Sequence, residues 1–169
     1  MVLYLVRHGI AVDRMDPACP PDPERSLTAK GKKRTRAVAR GLKALDLKAD
    51  LMLSSPYMRA IQTAQIMADV LGFDSDRIRL TESLLPDKNP VALCEELRQL
   101  DGSQVMCFGH APNLDEVVAY LLGAPDSACS LKKAGVAGLT FREPEAGSAS
   151  LVSFFPPRAL RLVAGDGRR

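Results

Sequence analysis

Histidine is scarce in this chain: two of its 169 residues, His8 and His110. Other scarcities narrow what the molecule can be. No apolar run approaches the roughly 18–20 residues that a membrane helix requires, so no membrane span is expected. The opening run reaches Arg7 after five apolar residues with no basic stretch before it, which does not read as a secretory leader. Four cysteines (Cys19, Cys94, Cys107 and Cys129) form no C-x-x-C pair. Neither a zinc site nor a disulfide framework is expected, and the pattern suits a reducing cytoplasm. A net charge of +3 is too small to call for nucleic acid by itself. Ser54 and Ser55 lack the G-x-S-x-G context of an activated serine and read as helix caps. There is no internal repeat.

What remains is an alternation of strand-like and helix-like segments. Val2 to Val6 is a continuous apolar run, as expected of a central strand buried on both faces. Leu51 to Leu53, Ile78 to Thr81 and Val105 to Phe108 read as further strands. Between them, helices are expected over Ala29 to Leu45, Tyr57 to Leu71, Pro90 to Leu100 and from a cap at Asn113 to Leu122. Thr28 fits the first N-cap, with Ala37, Val38, Gly41, Leu42 and Leu45 on its inner stripe. Lys30, Lys33, Arg34 and Arg40 lie opposite, either as a solvated face or as a docking face for an acidic protein. Pro56 fits an early helical position and Gly72 a C-terminal cap. Val136 to Phe141 and Ser150 to Phe155 look like two antiparallel strands, and Gly165 to Arg169 like a disordered tail. The class implied is α/β, a three-layer sandwich with a mostly parallel central sheet, folded as a single domain over residues 1–169.

In such sheets ligands bind beyond the carboxyl ends of the strands. Arg7 and His8 close the first strand, and Gly109 and His110 the fourth, so both imidazoles can meet over one crevice. Arg59 follows the second strand, and Arg25 lies on the long loop over residues 10–26. A guanidinium is a planar fork of donors that matches phosphate oxygens in pairs. Three arginines and two histidines with no metal motif therefore suggest a phosphoryl group neutralised by the protein itself.

Arg7-His8-Gly9, Ser55-Pro56-x-x-Arg59-Ala60-x-x-Thr63 and Gly109-His110, in that order, resemble the three motifs of the histidine phosphatase superfamily, the phosphoglycerate mutase-like proteins. Arg25-Ser26-Leu27-Thr28-x-x-Gly31 is similar to a segment of its small members. The resemblance implies His8 as nucleophile, Arg7, Arg59 and His110 as groups holding the transferring phosphoryl, Arg25 as a further phosphate contact, and no cofactor. Larger members carry a carboxylic acid three residues after a glutamate that closes the third strand. Here Glu82 fits that glutamate, but Leu85 stands at the acid position and Asp87 is out of register. The chain also lacks room for their helical insertion.

Without an acid, a substrate with a good leaving group is expected, and phosphohistidine is one. Short length, the missing acid and Arg25-x-Leu27-Thr28 together resemble the SixA-type phosphohistidine phosphatases, and the closing Phe154-Phe155-Pro156-Pro157-Arg158-Ala159-Leu160 also looks like the tail of that branch. The implied partner is a phosphorylated protein such as a histidine phosphotransfer domain, acted on by a monomer. Two alternatives stay open: a phosphomonoesterase for small phosphate esters, and a phospho-ligand binding module without turnover.

Overall fold

The computed structural model describes residues 1–166. Six strands form one sheet: β1 (Val2–Arg7), β2 (Leu51–Ser54), β3 (Arg79–Leu80), β4 (Gln104–Gly109), β5 (Val136–Thr140) and β6 (Ser150–Phe155). Their order is β3-β2-β4-β1-β5-β6. The first four run parallel, and β5 and β6 close the sheet through antiparallel pairings. Five helices cover it: α1 (Ala29–Ala44), α2 (Met58–Leu71), α3 (Pro90–Leu97), α4 (Asn113–Leu122) and α5 (Pro157–Val163).

Alternation along β1 divides the core in two. Leu3 and Leu5 pack with Leu93 and Leu97 of α3 and with Leu114, Val117 and Leu121 of α4. Val6 faces the other way, with Val38 and Leu42 of α1, Ala64 and Met67 of α2, and Leu160 of α5. These two layers of helices around the sheet are the expected three-layer α/β architecture. Thr28 caps α1 by accepting the Gly31 N–H at 3.0 Å, and Gly72 ends α2 at φ 81°, as the sequence implies.

Several boundaries differ. α5 is not expected from the sequence; only Leu160 of its seven residues is buried. It is held by close approach to α1, since a Cβ on Gly41 would lie 2.1 Å from the Leu160 carbonyl oxygen. Leu45 stands past the end of α1 and is exposed, not part of the inner stripe. Pro56 precedes the N-cap of α2, Tyr57, instead of starting the helix. Asn113 is the first residue of α4, not its cap, and its amide donates to the Lys88 carbonyl at 2.6 Å. The helix α3 ends at Leu97, three residues short of the expected Leu100. In the expected disordered tail, Gly165 (φ 76°) and Asp166 cap the end of α5 through backbone bonds to the Leu162 and Arg161 carbonyls, while residues 167–169 lie outside the described residues. No helix among the described residues is long and apolar enough to cross a membrane.

Candidate active site

The sheet order makes β1 and β4 neighbours, with Arg7 opposite Gly109. Strand β2 flanks β4 on its other side, and the Ser55 N–H donates to the Phe108 carbonyl at 2.9 Å. The ends of all three strands therefore open on one side. His8 and His110 come together there with ring centroids 5.1 Å apart, and both are nearly inaccessible to solvent, at 7% and 2% exposure. Arg59 enters from the first turn of α2, 2% exposed. Arg7, His8, Arg25, Arg59 and His110 all line one cleft of about 410 Å³. All five sequence candidates are thus brought together.

The two rings are fixed through opposite nitrogens. His8 Nδ1 lies 2.7 Å from the Gly9 carbonyl oxygen. A carbonyl can only accept, so Nδ1 carries the proton and Nε2 keeps its lone pair. His110 Nε2 lies 2.9 Å from Ser55 Oγ, and its Nδ1 is buried with no partner. Burial lowers the pKa of His8 to about 3, with Arg59, Arg7 and Lys133 adding to the effect and the Gly9 carbonyl opposing it. The same cause, then the proximity of His8 and Arg59, lowers His110 to about 3. Both rings are neutral at ordinary pH. Below them the Gly9 N–H donates to Thr63 Oγ1 at 3.0 Å, and Thr63 in turn donates to the Arg59 carbonyl at 2.7 Å. The Thr63 of the second motif therefore ties the loop of His8 to the helix of Arg59.

The arginines are partly engaged. Arg7 donates through one terminal nitrogen to the Leu131 carbonyl at 2.7 Å, and its Nε is buried without a partner. Arg59 donates to the Asp22 carbonyl and carboxylate at 2.6 and 3.1 Å, and its Nε is likewise unpartnered. Arg25 spends Nε and both terminal nitrogens on the Val12 carbonyl and Asp22. In this arrangement Arg25 fastens the long loop to the cleft. Buried donors without acceptors are costly in a folded protein and mark a place where an anion fits.

Three participants are not evident from the sequence. Asp22 bridges Arg59 and Arg25 from a 3-10 turn at Asp22–Glu24. Its own burial would raise its pKa, but hydrogen bonds and charge from the two arginines prevail and hold it at about 2. Lys133 lines the cleft from the turn before β5. Ala134 in that turn has φ 63°, and its N–H is shared between the Arg7 and His8 carbonyls at 2.9 and 3.2 Å, which seats Lys133 beside the His8 ring. Asp13 is the one carboxylate among the described residues lining the cleft. Neither Glu82 nor Asp87 lines it; both are exposed, and from that segment Pro86 lines the cleft. Only Lys and Asp in loops signalled these residues, and such residues are ordinarily solvated.

The chain is similar to known proteins in both sequence and fold. Residues 3–84 match the model of the histidine phosphatase superfamily, branch 1. The chain is 38% identical over 144 residues to an uncharacterized protein of Picosynechococcus, covering 82% of this chain and 84% of that one. It is 29% identical over 128 residues to phosphohistidine phosphatase SixA of Escherichia coli, covering 72% and 74%. A solved structure of the protein histidine phosphatase SixA complexed with tungstate superposes with a TM-score of 0.82 at 26% identity, over 93% of this chain and 97% of that one.

Proposed function

Because this chain belongs to the histidine phosphatase superfamily, whose chemistry is phosphoryl transfer, we propose that it removes phosphate from phosphohistidine on a protein through an intermediate on His8. The observation that carries the reading is the neutral, buried His8 with Nε2 free, set among guanidinium and imidazole N–H groups that lack partners. In the first step Nε2 attacks phosphorus in line. The new P–N bond forms as the substrate's P–N bond breaks, and the departing ring, protonated at its other nitrogen, leaves as neutral imidazole. Water then attacks phospho-His8, releasing phosphate and regenerating the ring, so that one difficult step becomes two easier ones.

Arg7 and Arg59 spread the charge that develops on the equatorial oxygens, and His110 donates from Nδ1. Arg25 contributes by holding Asp22 and the loop, and as a secondary contact for the phosphate. A leaving group of this kind needs no carboxylic acid, which fits the exclusion of Glu82 and Asp87 from the cleft.

A second reading is favoured by Asp13, whose place in the cleft would let it protonate an alcohol leaving group. Under it the protein hydrolyses small phosphate esters. The test is phosphate release from a phosphohistidine-bearing phosphotransfer domain, beside p-nitrophenyl phosphate and sugar phosphates, with His8→Ala as control. Preference for phosphohistidine that survives Asp13→Asn supports the first reading. Preference for esters that collapses by about a hundredfold or more in Asp13→Asn supports the second. A protein that is never labelled by a phosphoryl donor, yet binds phosphate, is a binding module and neither.

A further inference from the structure

Beyond the cleft lies a second cavity of about 380 Å³ that shares Arg7, Ile10 and Lys133 with it. Its floor is aliphatic: Ile10, Val38, Ala134 and Pro157. Its rim is cationic, with Arg34 of α1, Lys132 and Lys133 of the turn before β5, and Arg161 of α5. No acidic residue lines it, and among the described residues none of those four cations is in an ion pair. Like charges gathered around apolar surface without counterions repel one another and expose area that water solvates poorly. Such a site is completed by a ligand that brings both negative charge and an apolar group.

The chemistry of the walls narrows the ligand. There is no carboxylate or amide to take up sugar hydroxyls, and no aromatic ring on which a base could stack. The only neutral polar side chain is Thr35, fully buried and without a hydrogen-bond partner. The walls are also fixed in advance. A Cβ on Gly31 would lie 2.0 Å from the Ile10 carbonyl oxygen, so α1 abuts the Ile10 backbone, and the contact of Gly41 with Leu160 locks α5 onto α1. Preformed concavity of this sort lowers the ordering cost of binding.

We propose that this cavity is a docking subsite for an acidic polypeptide. It seats one aliphatic side chain of the phosphorylated partner, while carboxylates flanking that side chain meet Arg34, Lys132 and Arg161. The inference rests on the phosphohistidine reading of the cleft and names the partner's chemistry: a phosphohistidine segment with leucine or a similar residue nearby, bordered by Asp or Glu. Continuity through Lys133 means that one bound segment can reach both places at once.

The test uses two phosphohistidine peptides that differ only in their flanks, one carrying Leu between Glu residues and the other with Gln in place of Glu. At low salt the unaltered enzyme should favour the acidic peptide by about tenfold in kcat/KM, and the preference should fade as salt rises. The double variant Arg34→Glu, Arg161→Glu should lose the preference while p-nitrophenyl phosphate turnover stays within about twofold, the latter reporting an intact fold. Should that variant fold poorly, Arg34→Gln with Arg161→Gln should show the same change to a smaller degree. Equal rates on the two peptides, or a preference untouched by either double variant, overturn the subsite and leave the proposed function standing. An enzyme that hydrolyses the ester but neither peptide overturns both. Retention of a single-stranded oligonucleotide at physiological salt, lost in the double variant, assigns the cavity to nucleic acid instead.

Discussion

His8 and His110 are alike in depth and in charge, and differ in which nitrogen the fold has tied down. His8 is held by a backbone carbonyl, a partner that cannot change role; its proton is fixed on Nδ1 and its lone pair on Nε2. His110 is held by a serine hydroxyl, which can donate or accept, and the nitrogen left over is the one with no partner. When Ser55 donates to Nε2, the proton of His110 sits on the unpartnered Nδ1, which is then a free donor. Two identical side chains are thereby prepared for different work, a lone pair on one and an N–H on the other. The difference lies in the hydrogen-bonding chemistry of Gly9 and Ser55, an acceptor against a donor, not in the rings.

The comparison breaks most sharply on removing each ring in turn. With His8→Ala, turnover should drop by more than about a thousandfold and no phosphoenzyme should form, because the proposed nucleophile is gone. With His110→Ala, turnover should drop by about a hundredfold, as for one lost donor to a developing oxyanion, while phospho-His8 is still trapped by rapid quench. Trapped phosphoenzyme in His8→Ala would reverse the assignment.

A gentler change probes the tie itself. Ser55→Ala should cut kcat by about tenfold with little change in KM, and Ser55→Thr, which keeps the hydroxyl, should restore most of it. Combined with His110→Ala, the serine substitution should cost almost nothing more, since its effect passes through that ring. Full additivity of the two would show that Ser55 does not act through His110.

The smallest effects are in pH. Both rings have pKa values near 3 in the fold against an ordinary 6.5, so below about 6.5 the unfolded chain takes up protons that the folded one refuses. Stability from this source is complete above that pH and is lost as pH falls toward 3. Imidazole nitrogen resonances of the ligand-free protein should therefore show no titration between pH 5 and 8, and a midpoint near 6.5 for either ring would contradict its burial. The urea midpoint of unfolding should fall as pH is lowered from 6.5 to 4, and less steeply in His8→Ala.

Much of the framework that sets this pair was legible in the sequence, for identifiable reasons. Strands buried on both faces announce themselves as apolar runs, and glycine or Ser-Pro marks where β1, β2 and β4 stop. Thr28 and Gly72 are caps whose chemistry is local. What escaped depends on distant partners. Helix α5 starts at Pro157 behind a second proline at its N-cap and buries one side chain, so its stability comes from contact with Gly41, more than a hundred residues away in the chain. Asp22 and Asp13 look like ordinary turn formers until the loop folds back through the Ala11–Leu27 bridge. Arg25 is predictable as a cleft residue, whereas its grip on Val12 and Asp22 is not.

The parallel pairing of β1 with β4 also bears on how such a protein can change. The two imidazoles hang from adjacent, hydrogen-bonded strands in the middle of the sheet, so the interval between them is set by interstrand spacing, a constant of all β-structure. The Gly9 carbonyl and the Ser55 hydroxyl then set how each ring is turned on that fixed base. The loop over residues 10–26, the Lys132–Gly135 turn and the face of α1 lie outside that pairing, so insertions and charge reversals there leave it untouched. The sheet fixes where the two rings meet, and the rim is where the molecule is free to differ.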